Sequence, residues 1–158
     1  MISRLLSRCR ALKRAMTREK LPPESVAAGW ALGMFIGCSV PFGLQLVVSV
    51  PLAMMMRVSK LGATLGTFIT NPLTILFIYP MQTYVVNRLL FRGTLSYSRI
   101  AGMEWTWRSV RSLGGDVMAS FFLGGLFLAI IMTPLTYFVV RGVVRRSRAA
   151  KAERAKAS

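Results

Sequence analysis

The stretch GCSVPFGLQLVVS, residues 37 to 49, lies at the centre of a run from Ser25 to Met56 that contains no charged side chain. Read as one helix, that run would be about 48 Å long, too long for a hydrocarbon core of about 30 Å unless steeply tilted. Pro41 removes a backbone donor and clashes with the preceding turn, while Gly43 permits a tight reversal. A helical hairpin is therefore expected, with arms from Ser25 to Val40 and from Leu44 to Met56 of about 24 and 20 Å. Both arms fall short of a full crossing. The hairpin is thus expected to be broken or re-entrant, with its turn held inside the protein, because irregular backbone at membrane depth needs polar partners. Gln45 is placed to satisfy the backbone groups freed at that turn.

Outward from this stretch, the rest of the chain carries the same signature. Of 158 residues 54% are hydrophobic, and the mean hydropathy of +0.52 points to an integral membrane protein. Two further uncharged runs, Leu61 to Val86 and Val117 to Val140, are each longer than the roughly 20 residues needed to cross hydrocarbon. The second run contains Gly62, Gly66, Thr67, Thr70, Asn71, Pro72 and Thr74, and the proline disfavours helix at Asn71, so a break is expected there. The pairs Gly33/Gly37 and Gly62/Gly66 precede the two breaks and are of the kind that lets helices pack closely. This likeness is compatible with an internal repeat of broken helices and equally with chance. The fold class expected is all-α and membrane-embedded: a broken or re-entrant hairpin, two further transmembrane helices and amphipathic interfacial helices. In the last span Gly124, Gly125 and Pro134 allow close packing and a kink.

Charge sets the expected topology. The net charge is +16, from 21 Lys and Arg against 5 acids, and no basic residue lies inside an apolar run. Residues 1–24 and 141–158 hold seven basic groups each, and the short link holds Arg57 and Lys60. A hairpin returns that link to the side of both basic ends, whereas three single crossings would separate the ends; the positive-inside bias favours the hairpin. Residues 87–116, with five basic groups and two acids, then lie outside. The organisation expected is a basic amphipathic cytoplasmic segment over 1–21, a membrane domain over 22–140 and a basic cytoplasmic tail over 141–158. Ile2, Leu5, Leu6, Cys9, Leu12 and Met16 recur at helical steps within the first segment, which reads as an interfacial helix, with a transit peptide or secretory signal as the alternatives. Within 87–116, Ile100, Met103, Trp107, Val110 and Leu113 predict a second interfacial helix, and Trp105 and Trp107 suit the headgroup belt.

The chemistry available is sparse. Glu19, Glu24, Glu104, Asp116 and Glu153 all lie in flanks or links, and the chain has no histidine. Proton-coupled transport and acid–base catalysis therefore lack groups at depth. Cys9 and Cys38 stand in different environments and form neither a disulfide framework nor a metal site. No enzyme, cofactor or metal is expected. A nucleic-acid partner is disfavoured, because basic groups are not interleaved with exposed aromatics on a soluble surface. What remains within the apolar runs is a cluster of helix breaks and polar residues: Ser39, Pro41, Gly43, Gln45, Thr67, Thr70, Asn71, Pro72 and Thr74. One reading is that they satisfy the backbone and join helices. The other is that the two breaks face one another and line a polar groove.

The segment AAGWALGMFIGCSVPFGLQLVVSVPLAMMMRVSKLGATLGTFITNPLTI, residues 27 to 75, resembles the bacterial family called domain of unknown function 2062. Ala31-Leu32-Gly33, Gly37, Pro41-Phe42-Gly43-Leu44-Gln45 and Asn71-Pro72-Leu73-Thr74 carry the resemblance, and the last span followed by Arg141 to Arg148 extends it to roughly residues 22–148. The family often has Asn near Ser59 and Pro near Phe77; these departures bear on helix ends. The resemblance implies a small protein of the bacterial inner membrane, with unassigned activity and relatives sometimes joined to glycosyltransferase domains. Together with the charge, it leads to an expected role in handling or transporting a phosphate-bearing lipid or polyprenyl carrier in envelope biogenesis. Anionic lipids are the expected partners, with Arg57, Lys60, Arg141, Arg145 and Arg146 as the headgroup flank. The alternative is a non-catalytic scaffold or accessory subunit for an envelope glycosyltransferase, and small-residue helix faces are compatible with an oligomer.

Overall fold

The computed structural model describes residues 20–41, 43–68, 72–90, 98, 102, 108 and 115–156. The expected interfacial helices over residues 1–18 and around Ile100 to Leu113 lie outside the described residues. All regular structure among the described residues is helical: α1 (Pro23–Ser39), α2 (Gln45–Met55), α3 (Lys60–Thr67), α4 (Pro72–Leu90) and α5 (Gly115–Lys156).

Helix α1 begins where its sequence allows, with proline in the first turn, where no N–H partner is needed, and Glu24 beside it. It ends at Val40, which turns to extended geometry (φ −110°, ψ 132°) ahead of Pro41. Gly43, at φ +97°, makes the reversal that a side chain would oppose, and the Leu44 N–H closes it on the Pro41 carbonyl at 3.3 Å. Helix α2 then runs back and buries only Gln45, Ser49 and Ala53, one face at steps of four. Its far end closes in a Schellman motif: the Val58 N–H reaches the Ala53 carbonyl at 3.0 Å and the Arg57 N–H reaches that of Met54 at 3.2 Å. Arg57 holds the left-handed position of that motif at φ +54°.

Ser59 caps α3, accepting from the Gly62 N–H at 2.7 Å, and its own N–H donates to the Ser25 carbonyl at 3.2 Å. The link between α2 and α3 is thereby fastened to the start of α1, so the segment 25–56 is a hairpin. Helix α3 lies parallel to α1 with backbones in contact, since a Cβ on Gly33 would stand 2.2 Å from the Ala63 carbonyl oxygen and 2.8 Å from Gly66 Cα. It stops at Thr67 and the chain resumes as helix at Pro72, which divides the second apolar run in two. Helix α4 continues to Leu90.

Helix α5 is antiparallel to α1. Gly125 meets Cys38 and Ser39, Ala129 packs with Met34 and Cys38, and Val140 and Val144 pack with Val26, Ala27 and Trp30. Trp30, 1% exposed, is the largest fully buried side chain. Helix α4 joins α5 beyond the hairpin turn through a perpendicular Tyr79–Phe121 pair at 5.0 Å and an Asn87 Nδ2 to Ser120 Oγ hydrogen bond of 3.1 Å. The basic residues after Val140 continue the same helix, for α5 runs to Lys156. Burial of Val140 and Val144 on α1 carries the helix past the apolar boundary, and the alanines beyond favour its continuation.

From Val117 onward α5 is long and apolar enough to cross a membrane by length and composition, which supports membrane association. Large apolar side chains such as Val47 and Met55 on α2, Phe77 and Leu89 on α4, and Phe127 and Phe138 on α5 point outward. Apolar surface of that extent marks an interaction or membrane face.

Candidate functional site

Among the described residues, each end of α1 gathers a cluster of polar groups. At the turn, the last carbonyls of the helix have no partner within it. Gln45 Nε2 lies 3.1 Å from both the Gly37 and the Val40 carbonyl oxygens and 2.6 Å from Tyr79 Oη. The Tyr79 hydroxyl in turn lies 2.9 Å from each of the same two carbonyls. Two amide protons and one hydroxyl proton thus serve two carbonyls and the tyrosine oxygen, which balances donors against acceptors. Gln82 Nε2 reaches the intervening Cys38 carbonyl at 3.4 Å. Side chains of α2 and α4 therefore clamp the end of α1 with neutral donors. Ser39 Oγ, Gln82 Oε1 and Thr83 Oγ1 are buried close to the clamp without a hydrogen-bond partner among the described residues.

At the other end, Glu24 stands in the first turn of α1. Arg141 Nε donates to its Oε1 at 3.2 Å, and Arg145 Nη2 donates to the same oxygen. Arg148 Nη2 donates to the Leu21 carbonyl at 2.7 Å, and Ser25 Oγ donates to the Arg57 carbonyl at 3.4 Å. Helices α1 and α5 and the α2–α3 link thus bring Lys20, Arg57, Lys60, Arg141, Arg145 and Arg148 to one end of the bundle. Hydrogen bonding from its own backbone, then from Arg145, holds the Glu24 carboxyl below the ordinary carboxylate range.

The polar residues singled out in the sequence separate into groups. Pro41 and Gln45 are buried at the turn, Gly43 is exposed there, and Gly37 supplies a clamped carbonyl. Gly33 and Gly66 face one another, and Gly62 lies against the Trp30 ring, where an added Cβ would stand 2.8 Å from Cδ1. Thr67 Oγ1 donates to the Thr64 carbonyl at 2.6 Å, Thr74 is half-buried, and Pro72 opens α4. Thr70 and Asn71 lie outside the described residues. Gln45 is joined to Tyr79, eight residues beyond the second break, so the clamp is built from one break and the body of α4.

Two cavities are lined by described residues. One, of about 250 Å³, is an apolar groove between α4 and α5 lined by Ile78, Met81, Val85, Gly124 and Phe127. The other, of about 360 Å³, runs along α5 beside Val143, Arg146, Ser147, Lys151 and Arg154. Arg146 therefore sits on the face of α5 away from Glu24. Neither cavity is lined by Ser39, Gln45, Thr67 or Thr74.

Sequence reasoning missed Tyr79, Gln82, Thr83 and Asn87. Their three- and four-residue spacing within an apolar run is the signal of a polar helix face. The sequence places Glu24 only in a flank of the first apolar run and does not name its partners more than a hundred residues away. Compared with known proteins, the chain matches none of the curated proteins and none of the solved structures. Residues 6–153 match the bacterial family of uncharacterised proteins termed DUF2062, and with nearly its whole length inside that match the chain belongs to this family.

Proposed function

We propose that this is a multi-pass protein of the bacterial inner membrane that handles or transports a phosphate-bearing lipid or polyprenyl carrier in envelope biogenesis. In this reading α1 and α2 enter and return, α3 and α4 together form a broken crossing, α5 crosses back, and both basic ends are cytoplasmic. The observation that carries it is the gathering of Lys20, Arg57, Lys60, Arg141, Arg145 and Arg148 at one end of a bundle whose flanks are apolar, with Arg141 and Arg145 on the Glu24 carboxylate. Such a basic rim attracts phosphate headgroups while apolar helix faces accept the chains.

The test is reconstitution in vesicles containing a short-chain polyprenyl phosphate, with protein-dependent movement between leaflets as the readout. Movement that falls when Gln45→Ala loosens the hairpin turn is expected. A folded protein that neither binds nor moves the lipid sinks the proposal.

A second reading, a non-catalytic scaffold for an envelope glycosyltransferase, draws on the helical extension of α5 to Lys156, which presents Arg146, Lys151 and Arg154 on an outward face. Removal of residues 149–158 leaves the Glu24 contacts in place. Loss of cellular function on that truncation, with lipid binding intact, favours the scaffold.

A further inference from the structure

We infer that the basic end of α1 is a seat for a phosphate monoester, in which the Glu24 carboxylate holds the anion position until a ligand displaces it and thereby filters headgroups by charge. This rests on the lipid-handling reading and narrows its substrate class.

Three observations converge. First, Arg141 and Arg145 both donate to a single oxygen of Glu24. An arginine made to hold a carboxylate uses its planar fork on both oxygens; here two guanidiniums converge on one point, and each carries five donors. A tetrahedral phosphate, with oxygens directed to several sides, uses that arrangement more fully. Second, Arg57 occupies the left-handed residue of a Schellman motif, a position that glycine or asparagine takes without strain. A cation is kept there against a conformational cost, on a link tied to Ser25, next to Glu24. Third, Lys20, Arg57, Lys60, Arg141, Arg145 and Arg148 stand at this end of the bundle, where Glu24 is the acid that two of them hold.

Charge then sets the selectivity. A monoester carries about −1.5 to −2 near neutral pH, so its exchange for one carboxylate improves the local balance. A diester, with a single charge, replaces like with like. The Glu24 side chain is 43% exposed, so displacement into solvent needs no opening of the core.

The experiment uses the full chain in nanodiscs of zwitterionic lipid doped with phosphatidate, a monoester, or phosphatidylglycerol, a diester, with retained lipid counted by native mass spectrometry. The wild type is expected to prefer the monoester by roughly tenfold, and Glu24→Gln to narrow that to about twofold by raising diester retention. Equal retention of both lipids by the wild type, or an unchanged ratio in Glu24→Gln, overturns the seat. Arg146→Gln/Lys151→Gln, on the opposite face of α5, is expected to lower both lipids alike and keep the ratio; a changed ratio there overturns the assignment to Glu24. Arg57→Gly, which relaxes the backbone, keeps the test open if Glu24→Gln misfolds: it is expected to melt higher yet retain several-fold less monoester, and unchanged retention overturns the seat. Displacement of phosphatidate by millimolar inorganic phosphate overturns the lipid as the source of the phosphate. Movement of polyprenyl phosphate without headgroup preference sinks the seat and leaves lipid handling standing, whereas preference without movement supports the seat and narrows lipid handling to binding without transport.

Discussion

The two ends of α1 meet the same physical demand by opposite means. Every helix leaves backbone groups unpaired at its termini. At the turn, Gln45, Tyr79 and Gln82 answer with uncharged donors, and no basic residue stands in the last turn of α1 although a cation would suit that end. At the other end the helix starts with a carboxylate ringed by arginines. The difference reports the surroundings. A charge in apolar surroundings must be paired or it costs several kcal/mol, whereas neutral amides and hydroxyls cost only what they fail to bond. The uncharged clamp belongs to a dry environment and the ion cluster to a wet one.

That contrast can be broken most directly at Gln45. Gln45→Leu removes two donated protons, one from a buried carbonyl and one from the Tyr79 oxygen, and is expected to cost about 3 kcal/mol, because the acceptors remain while their partner is lost; thermal unfolding in detergent measures it, and a loss below about 1 kcal/mol contradicts a dry clamp. Tyr79→Phe sharpens the same point with less damage. It keeps the ring against Phe121 and removes one hydroxyl, so a loss of about 1 kcal/mol is expected, with α4 still docked.

The smallest effect belongs to the wet end and to pH. The Glu24 carboxyl lies below its ordinary value of 4.5 in the folded protein. Its contribution to stability is therefore fully present above about pH 4.5 and is lost as the pH falls through the lowered folded value. The melting difference between wild type and Glu24→Gln is expected to be constant from neutral pH down to about 5 and to shrink below it. The difference between wild type and Gln45→Leu is expected to stay flat over the same range, since neither group in that clamp titrates there. A parallel pH dependence at both ends would erase the distinction.

Much of the hairpin was legible because its signals are local. Pro41 and Gly43 act on the backbone where they stand, and Arg57 and Lys60 mark the return by charge. The break expected at Asn71 lies outside the described residues, between α3, which ends at Thr67, and α4. What was not legible depends on register between distant helices. Nothing near Gln45 names Tyr79 as its partner, because that pairing follows from the rotation of α4 once Gly33 and Gly66 have set how closely α3 approaches α1. Composition marks where the apolar run of α5 ends, at Val140, but the packing of Val144 with Val26 that carries the helix beyond it depends on a partner distant in sequence. Glu24 reads in the sequence as an ordinary flanking acid, and its pairing with Arg141 and Arg145 needs α5 alongside.

The unbroken course of α5 has a mechanical consequence. Its 42 residues make a rod of about 63 Å, pressed at Gly125 against the last turn of α1 and tethered by Arg141 and Arg145 to the first. Pro134 stands between those two attachments and has no N–H to donate to the carbonyl four residues back, so the rod has a place where it can bend. Both ends of α1 are thus held by one helix with a proline-softened joint between its fixings.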